Sequence, residues 1–289
     1  MTINILTVGH VCLDLLHSVG SLPSPDVKVA SRSAIMQIGG NAGNTASSLV
    51  RLGAVADLCC ILGNHLDPMT AYLRSLLEHK GIGLENVAYL ESQPCPISSI
   101  MILPNGDRAI ASFQPVALSC TLNHPTNLKK YDMVIGDTNR LQMVRQVLSL
   151  ARVEGIRTML DVDQPLDRLQ DIPKADIVFF SSESWKKMTN IGVDIFEAQS
   201  YLGGIVGVTN GSEQLMWTDD TQVLYQYQPM AVDAINTLGA GDAFRAGLAM
   251  GICSGMDLYH AIKQGCDTAA EHIQNKPLTR ITGESHETV

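Results

Sequence analysis

The sequence predicts an α/β fold: a mostly parallel sheet covered by helices, with a small β-sheet lid growing from it. Short, almost continuously apolar runs alternate with amphipathic stretches over most of the chain, the pattern of buried parallel strands joined by helical crossovers. Two segments with prolines and polar alternation break that rhythm and read as the lid. No internal repeat or low-complexity tract competes with this reading.

Residues 3–9, 56–62, 133–136, 158–162, 177–180 and 205–209 are the predicted strands, and 41–52, 68–80, 141–154 and 183–190 the predicted helices between them. A further apolar helix with a small-residue face is predicted at 243–254. The opening MTINILTVGHVCLDLL has no basic leading segment, and Asp14 interrupts it before it can span a membrane, so it reads as a first strand rather than a signal peptide. Residues 97–113 read as two short strands around the turn signal Pro104-Asn105-Gly106-Asp107. With the proline-bearing stretch after Leu15 they predict an antiparallel lid made of two discontinuous pieces, about 16–38 and 95–115, within one domain spanning 1–289. Alternation of Ile97, Ser99, Met101 and Leu103 against Ser98, Ile100 and Ile102 leaves apolar groups on both lid faces. One face should cover the body of the protein and the other a second copy, which predicts a homodimer joined through the lid.

At 289 residues, 45% hydrophobic and 17% charged, the chain can bury one large core. A net charge of -9 opposes broad attraction to nucleic acid or to anionic membranes. The expected partner is a small molecule. Seven cysteines without a CxxC pair read as buried small hydrophobes in a reducing, cytoplasmic setting. His10, His17 and His65 lack metal-ligand spacing and read as ordinary core or surface histidines. The chain has no GxxxxGK[ST] element, and no GxGxxG turn follows the first strand. P-loop and dinucleotide-binding chemistry are therefore disfavoured.

The sharpest chemical signal is Asn236-Thr237-Leu238-Gly239-Ala240-Gly241-Asp242, entering the predicted helix at 243–254. Gly239, Ala240 and Gly241 allow close approach to a ligand, and their amides with the positive helix end form a site for phosphate or a developing oxyanion. A carboxylate beside phosphates is useful chiefly if it accepts a proton or orients a hydroxyl; otherwise Asp242 is an ordinary N-cap. A second glycine-rich turn, Gly39-Gly40-Asn41-Ala42-Gly43-Asn44, enters another helix. Its amides Asn41 and Asn44 suit ligand hydroxyls, or again a helix cap.

Together these motifs resemble the paired signatures of the PfkB (ribokinase-like) family of carbohydrate kinases. An early acidic residue, a GGN motif near residue 40 and a late GAGD motif occur in the expected order, and the resemblance covers essentially the whole chain. Within the family, GGNAGN and NTLGAGD look most like the ketohexokinase members. The resemblance implies a ribokinase-like three-layer α/β/α sandwich with a mostly parallel central sheet and a small β-sheet lid. It implies transfer of the γ-phosphoryl of MgATP to a sugar hydroxyl, a ketohexose such as fructose ahead of ribose. By it, Asp14, Gly40, Asn41 and Asn44 hold acceptor hydroxyls, Gly239 to Gly241 form the anion hole, and Asp242 is the base. ATP and Mg2+ are the implied cofactors, with a monovalent cation as a further candidate.

Lesser signals fit the same scheme. Val208-Thr209-Asn210-Gly211-Ser212 resembles the family's nucleotide-side loop, which assigns Thr209 and Gly211 to the nucleotide, although Gln214 stands where a glycine is usual. Asp137, Asn139 and Arg140 follow a predicted strand and so face the ligand crevice or form a surface loop. Arg108 in the lid hairpin reaches substrate or phosphate, or is solvated. Asp161 and Asp163 alternate onto one side of a strand, for the crevice or for a hydrated cation. The family's NxxE element is replaced by Ser182-Glu183-Ser184-Trp185, with Ser182 on the nucleotide side, and its usual Asp at the start of the GAGD motif by Asn236. A nucleoside kinase of the same fold and a pocket-bearing protein impaired in turnover are the alternative readings.

Overall fold

The computed structural model describes residues 2–114, 125, 127–232 and 237–274. From the amino terminus the chain forms β1 (Asn4–Val8), β2 (Cys12–Val19), β3 (Ser31–Gly39), α1 (Asn41–Arg51), β4 (Val55–Leu62), α2 (Pro68–His79), β5 (Gly83–Tyr89), β6 (Ile97–Ile102) and β7 (Arg108–Phe113). It continues through β8 (Met133–Asp137), α3 (Leu141–Val153), β9 (Arg157–Val162), β10 (Ile177–Ser181), α4 (Ser182–Asn190), α5 (Ile195–Leu202) and β11 (Ile205–Thr209). Strands β12 (Leu215–Thr218) and β13 (Tyr225–Tyr227) and helices α6 (Ala240–Cys253) and α7 (Leu258–Gln274) complete it.

Nine strands form the main sheet, in the order β13-β12-β11-β10-β9-β8-β1-β4-β5. From β11 to β5 all pairings are parallel, and β12 and β13 close one edge antiparallel. Alternation sends Ile5, Ile135, Met159 and Phe179 into a core shared with α1, α2, α6 and α7, and Leu6, Val134, Leu160 and Phe180 into a second core with α3, α4 and α5. Both faces of the sheet are covered, which is why its strands read as continuous apolar runs. The result is the expected ribokinase-like three-layer sandwich. Local signals agree: Pro68 opens α2, and the Asp67 carboxylate accepts the Thr70 amide at 2.9 Å as N-cap.

The lid is a four-stranded sheet ordered β3-β2-β6-β7. It departs from the expectation in two ways. The first apolar stretch is two strands in two sheets, because the chain leaves β1 at Gly9, where a Cβ would stand 1.9 Å from the Asp137 carboxylate. Asp14 therefore belongs to the lid strand β2, and the lid begins at Cys12. Second, β2 and β6 pair in parallel, Leu13 opposite Ile97 through Ser18 opposite Ile102, so the lid is mixed rather than antiparallel. Leu16, Ile100 and Ile102 pack together against Leu238, which turns this lid face toward the glycine-rich loop.

Candidate active site

Strand β1 lies between β4 and β8, and the connections run outward from it in opposite directions. In open α/β sheets the carboxyl ends of strands at such a switch point border the ligand crevice. Here that border carries His10, Asp137 to Arg140, and the pair Asp161 and Asp163. Helices α1 and α6 deliver their amino termini to it.

Helix α6 begins three residues earlier than its sequence pattern suggested, so Ala240, Gly241 and Asp242 form its first turn. Gly239 precedes it as N-cap with φ 75°, a left-handed conformation that glycine adopts without strain, and it supplies no side-chain cap. The Ala240 amide donates to the Thr237 carbonyl at 3.1 Å, and the Gly241 and Asp242 amides that follow stand at the positive end of the helix, with no carbonyl one turn earlier within it. Asp242 does not cap the helix. Its buried carboxylate accepts from the Arg245 guanidinium and from Asn44. Burial pushes its proton affinity up, and Arg245 and Asn44 oppose that rise.

Gly40, N-cap of α1 at φ 79°, packs so closely that a Cβ would lie 2.4 Å from the His10 carbonyl oxygen. At Gly39 a Cβ would lie 2.1 Å from the Asp14 carboxylate. Gly39 therefore makes room for Asp14, which is 3% exposed and accepts from the Cys12 thiol at 3.3 Å, and Gly40 for the His10 carbonyl. Asn41 is not a cap either. Its Nδ2 donates to Asp161 and to Asp163, each at 3.1 Å, and its Oδ1 accepts from Asn139 Nδ2 at 3.3 Å. Asn139 also donates to Asp163 at 3.1 Å, and the Thr138 hydroxyl to the other Asp163 oxygen at 2.8 Å. Arg245 Nη1 meets Asp161 Oδ1 at 2.8 Å, which ties this polar network to Asp242.

Asp137 lies under the crevice, 3% exposed, its carboxylate accepting the His10 amide at 2.8 Å and the Asn139 amide at 2.9 Å. Burial, and then the neighbouring Asp163, push its proton affinity up to about 7. The His10 ring is lowered to about 4, first by burial and then by Arg140, against the pull of Asp163. It is a neutral imidazole at the crevice. From the lid, Arg108 donates to the Thr237 hydroxyl at 3.1 Å, so it reaches the glycine-rich loop.

Beyond Gly241 lies a cavity of about 290 Å³, walled mainly by apolar groups that include Leu215, Met230, Phe244 and Ile273. Thr209 and Gly211 line it, and Ala240 and Gly241 belong both to its wall and to the first turn of α6. Ser182, the first residue of α4, does not line it. Asn236 lies outside the described residues. Among the described residues no group of three or more His, Cys, Asp or Glu is arranged to hold a metal ion. Sequence reasoning missed α7, which supplies the Cys266, Ala269, Ala270 and Ile273 wall, although its apolar residues recur at helical spacing. It also missed Arg245, whose signal was the one cation of an otherwise apolar helix, three residues after Asp242.

A buried carboxylate at a glycine-rich helix start, with an apolar cavity on one side and a lidded polar crevice on the other, defines a phosphotransferase with an alcohol acceptor. A profile described as pfkB family carbohydrate kinase matches residues 2–281, and the chain belongs to that family. The ATP-dependent ribose-1-phosphate kinase of Halopiger xanaduensis is 27% identical over 255 residues, 85% of this chain and 83% of that protein. Mouse (Mus musculus) ketohexokinase is 25% identical over 299 residues, 92% of this chain and 95% of that protein. Arabidopsis thaliana ribokinase, solved with ribose and ATP, has the same fold, with a TM-score of 0.78 at 20% identity over 96% of this chain and 94% of that one.

Proposed function

We propose that this kinase transfers the γ-phosphoryl of ATP to a hydroxyl of a free sugar, a ketohexose such as fructose ahead of ribose, with Asp242 as the base. One observation carries the reading: the first turn of α6 holds Asp242 and also walls the cavity proposed for the nucleotide. Acceptor and γ-phosphoryl would then meet at one helix end. The Ala240 amide is taken up by the Thr237 carbonyl at 3.1 Å, so the amides of Gly241 and Asp242 are the ones that would face charge developing on the transferring group, each such donor contributing about 3 kcal/mol. The remaining catalysis is positioning, as suits a loose phosphoryl-transfer transition state. Mg2+ fits as a companion of the nucleotide, held chiefly by phosphate oxygens and water, since no described cluster would hold it alone. When bound it neutralises phosphate charge.

The test is ADP release from ATP with a panel of free sugars, sugar phosphates and nucleosides. Phosphorylation of a ketohexose above ribose supports the proposal; phosphorylation of nucleosides but of no sugar replaces it with a nucleoside kinase. Absence of turnover with every acceptor, with nucleotide still bound, would make the chain a binding protein.

We further propose a homodimer through the lid. The outer strands β3 and β7 expose Ile35, Met36, Ile110 and Phe113, apolar groups on open sheet edges that water does not favour. Light scattering at micromolar concentration should give twice the monomer mass, and a monomer there removes the proposal. No described helix is long and apolar enough to cross a membrane, and a cytoplasmic location accords with the many buried free cysteines.

A further inference from the structure

We propose that Arg245 is a positioning residue for phosphoryl transfer: it clamps Oδ1 of Asp242 against Asp161 and so reserves Oδ2 for the acceptor hydroxyl. The inference rests on the reading of Asp242 as the base. Arg245 is 7% exposed and bridges two carboxylates, Nη2 on Asp242 Oδ1 and Nη1 on Asp161 Oδ1. It folds back beneath the first turn of α6, where a Cβ on Gly241 would stand 3.3 Å from Nη1. Gly241 therefore has a second task besides close approach to phosphate.

The other oxygen, Oδ2, lies away from the guanidinium contact, on the side from which Asn44 also donates to Asp242. A Cβ on Gly239 would stand 3.5 Å from Asp242 Oδ2, 3.7 Å from Asn44 Nδ2 and 3.3 Å from His272 Nε2, so Oδ2 faces the glycine turn. The His272 Nε2–H in turn donates to the Leu238 carbonyl at 3.1 Å. Asp161 is held by Asn41 and lies beside Asp163, which makes the clamp rigid on its far side. A neighbouring cavity of about 10 Å³, lined in part by Thr7, Thr45, Asp161 and Arg245, has room for about one water at most. Bulk solvent does not screen these charges.

The charges around Asp242 are Arg245 on its own helix, Asp161 and Asp163 from β9 and its end, and, beyond Asp161, Asp137 from β8; His272 approaches from α7. Only Arg245 among them holds Asp242 ionised through a direct contact. Removing it raises the pH at which Asp242 gives up its proton, and removing Asp161 lowers it, because the guanidinium now shared between the two carboxylates passes wholly to Asp242. A residue that merely fills space would move neither.

The experiment is the pH dependence of kcat and KM, by ADP release with the best acceptor of the panel, for the parent enzyme and Arg245→Met, Arg245→Lys, Asp161→Asn and Asp242→Asn, with a thermal melt of each. Arg245→Met should lose about tenfold or more in kcat at neutral pH, with its acid limb about 1–3 pH units higher and a loss that narrows as pH rises. Arg245→Lys should return the limb toward that of the parent, and Asp161→Asn should shift it lower. A parent-like kcat and limb in Arg245→Met overturns the proposal. So does an Asp161→Asn limb that stays put or moves up, a result that decides the matter even if Arg245→Met does not fold. If Asp242→Asn keeps more than about a tenth of parental turnover, the base reading itself has failed; if it is inactive while Arg245→Met behaves as the parent, only the clamp has.

Discussion

Asp242→Asn is expected to lower kcat by about 10²- to 10⁴-fold, the usual loss on removing a positioned general base, while fold and nucleotide affinity hold. Asparagine keeps the size of the side chain and can still accept from Arg245, but it cannot take a proton. The helix does not need this carboxylate as a cap, because Gly239 occupies the cap position and no side chain caps the turn. Arg245 keeps Asp161 at 2.8 Å after the exchange, so no buried guanidinium is orphaned. A carboxylate beside phosphates repels them, so nucleotide affinity should stay level or tighten. Had Asp242 been an ordinary N-cap, the same exchange would have left turnover near normal, since asparagine caps as well as aspartate. Steady-state kinetics, a nucleotide titration and a thermal melt separate the two cases. Turnover above about a tenth of parental removes Asp242 as the base.

The main sheet was legible because its chemistry is one-dimensional. A strand buried on both faces must be apolar at nearly every position, so β1, β4, β8, β9, β10 and β11 could be bounded within one residue at either end. The lid was legible as an interruption but not as a topology. Its parallel pairing of β2 with β6 joins residues more than 80 positions apart, and nothing local in either strand selects that register over an antiparallel one. Strands β5 and β13 at the sheet edges are only partly buried and carry a weaker signal, and β12 beside β13 is four residues long, too short for a pattern.

The site divides in the same manner. Glycines at positive φ and carboxylates near them are local features, so Gly40, Gly239 and Asp242 stood out from the sequence. What those groups bond to is not local. Asn41 was assigned to acceptor hydroxyls, and in the structure its amide is engaged with Asp161, Asp163 and Asn139. A buried arginine in an apolar helix announces that a carboxylate must be near, but only the packing of α6 over β9 shows that one of its partners is Asp161. Asp242 and the GGN motif are joined by that contact, which the spacing of neither motif contains.

Gly40→Ala is expected to damage both stability and turnover, by a route that alters no polar side chain of the site. The residue sits at φ 79° and ψ 149°, a region essentially reserved for glycine, which costs a residue bearing a Cβ about 1–3 kcal/mol. Its Cβ would lie 2.4 Å from the His10 carbonyl oxygen and 2.9 Å from the Val11 Cα, so backbone rather than a flexible side chain must give way. Overpacking of that kind adds about 1–3 kcal/mol, for a total of about 2–6 kcal/mol and a fall in Tm of several degrees or more. The His10 carbonyl accepts the Ala42 amide at 3.1 Å and the His10 amide donates to Asp137 at 2.8 Å, so the shift passes into both the start of α1 and the crevice floor. With the start of α1 move Asn41 and Asn44, the latter bonded to Asp242. Misplacement of reacting groups by about 1 Å can cost about 10²-fold in rate. Gly53→Ala is the control: it also has a positive φ, 88°, but nothing lies within 4 Å of its Cβ and it stands beyond the far end of α1. That variant should lose about 1–2 kcal/mol of stability with kcat near parental. Equal losses of turnover in the two variants, or a parental kcat in Gly40→Ala, would show that the tight fit of Gly40 against His10 does not set the site.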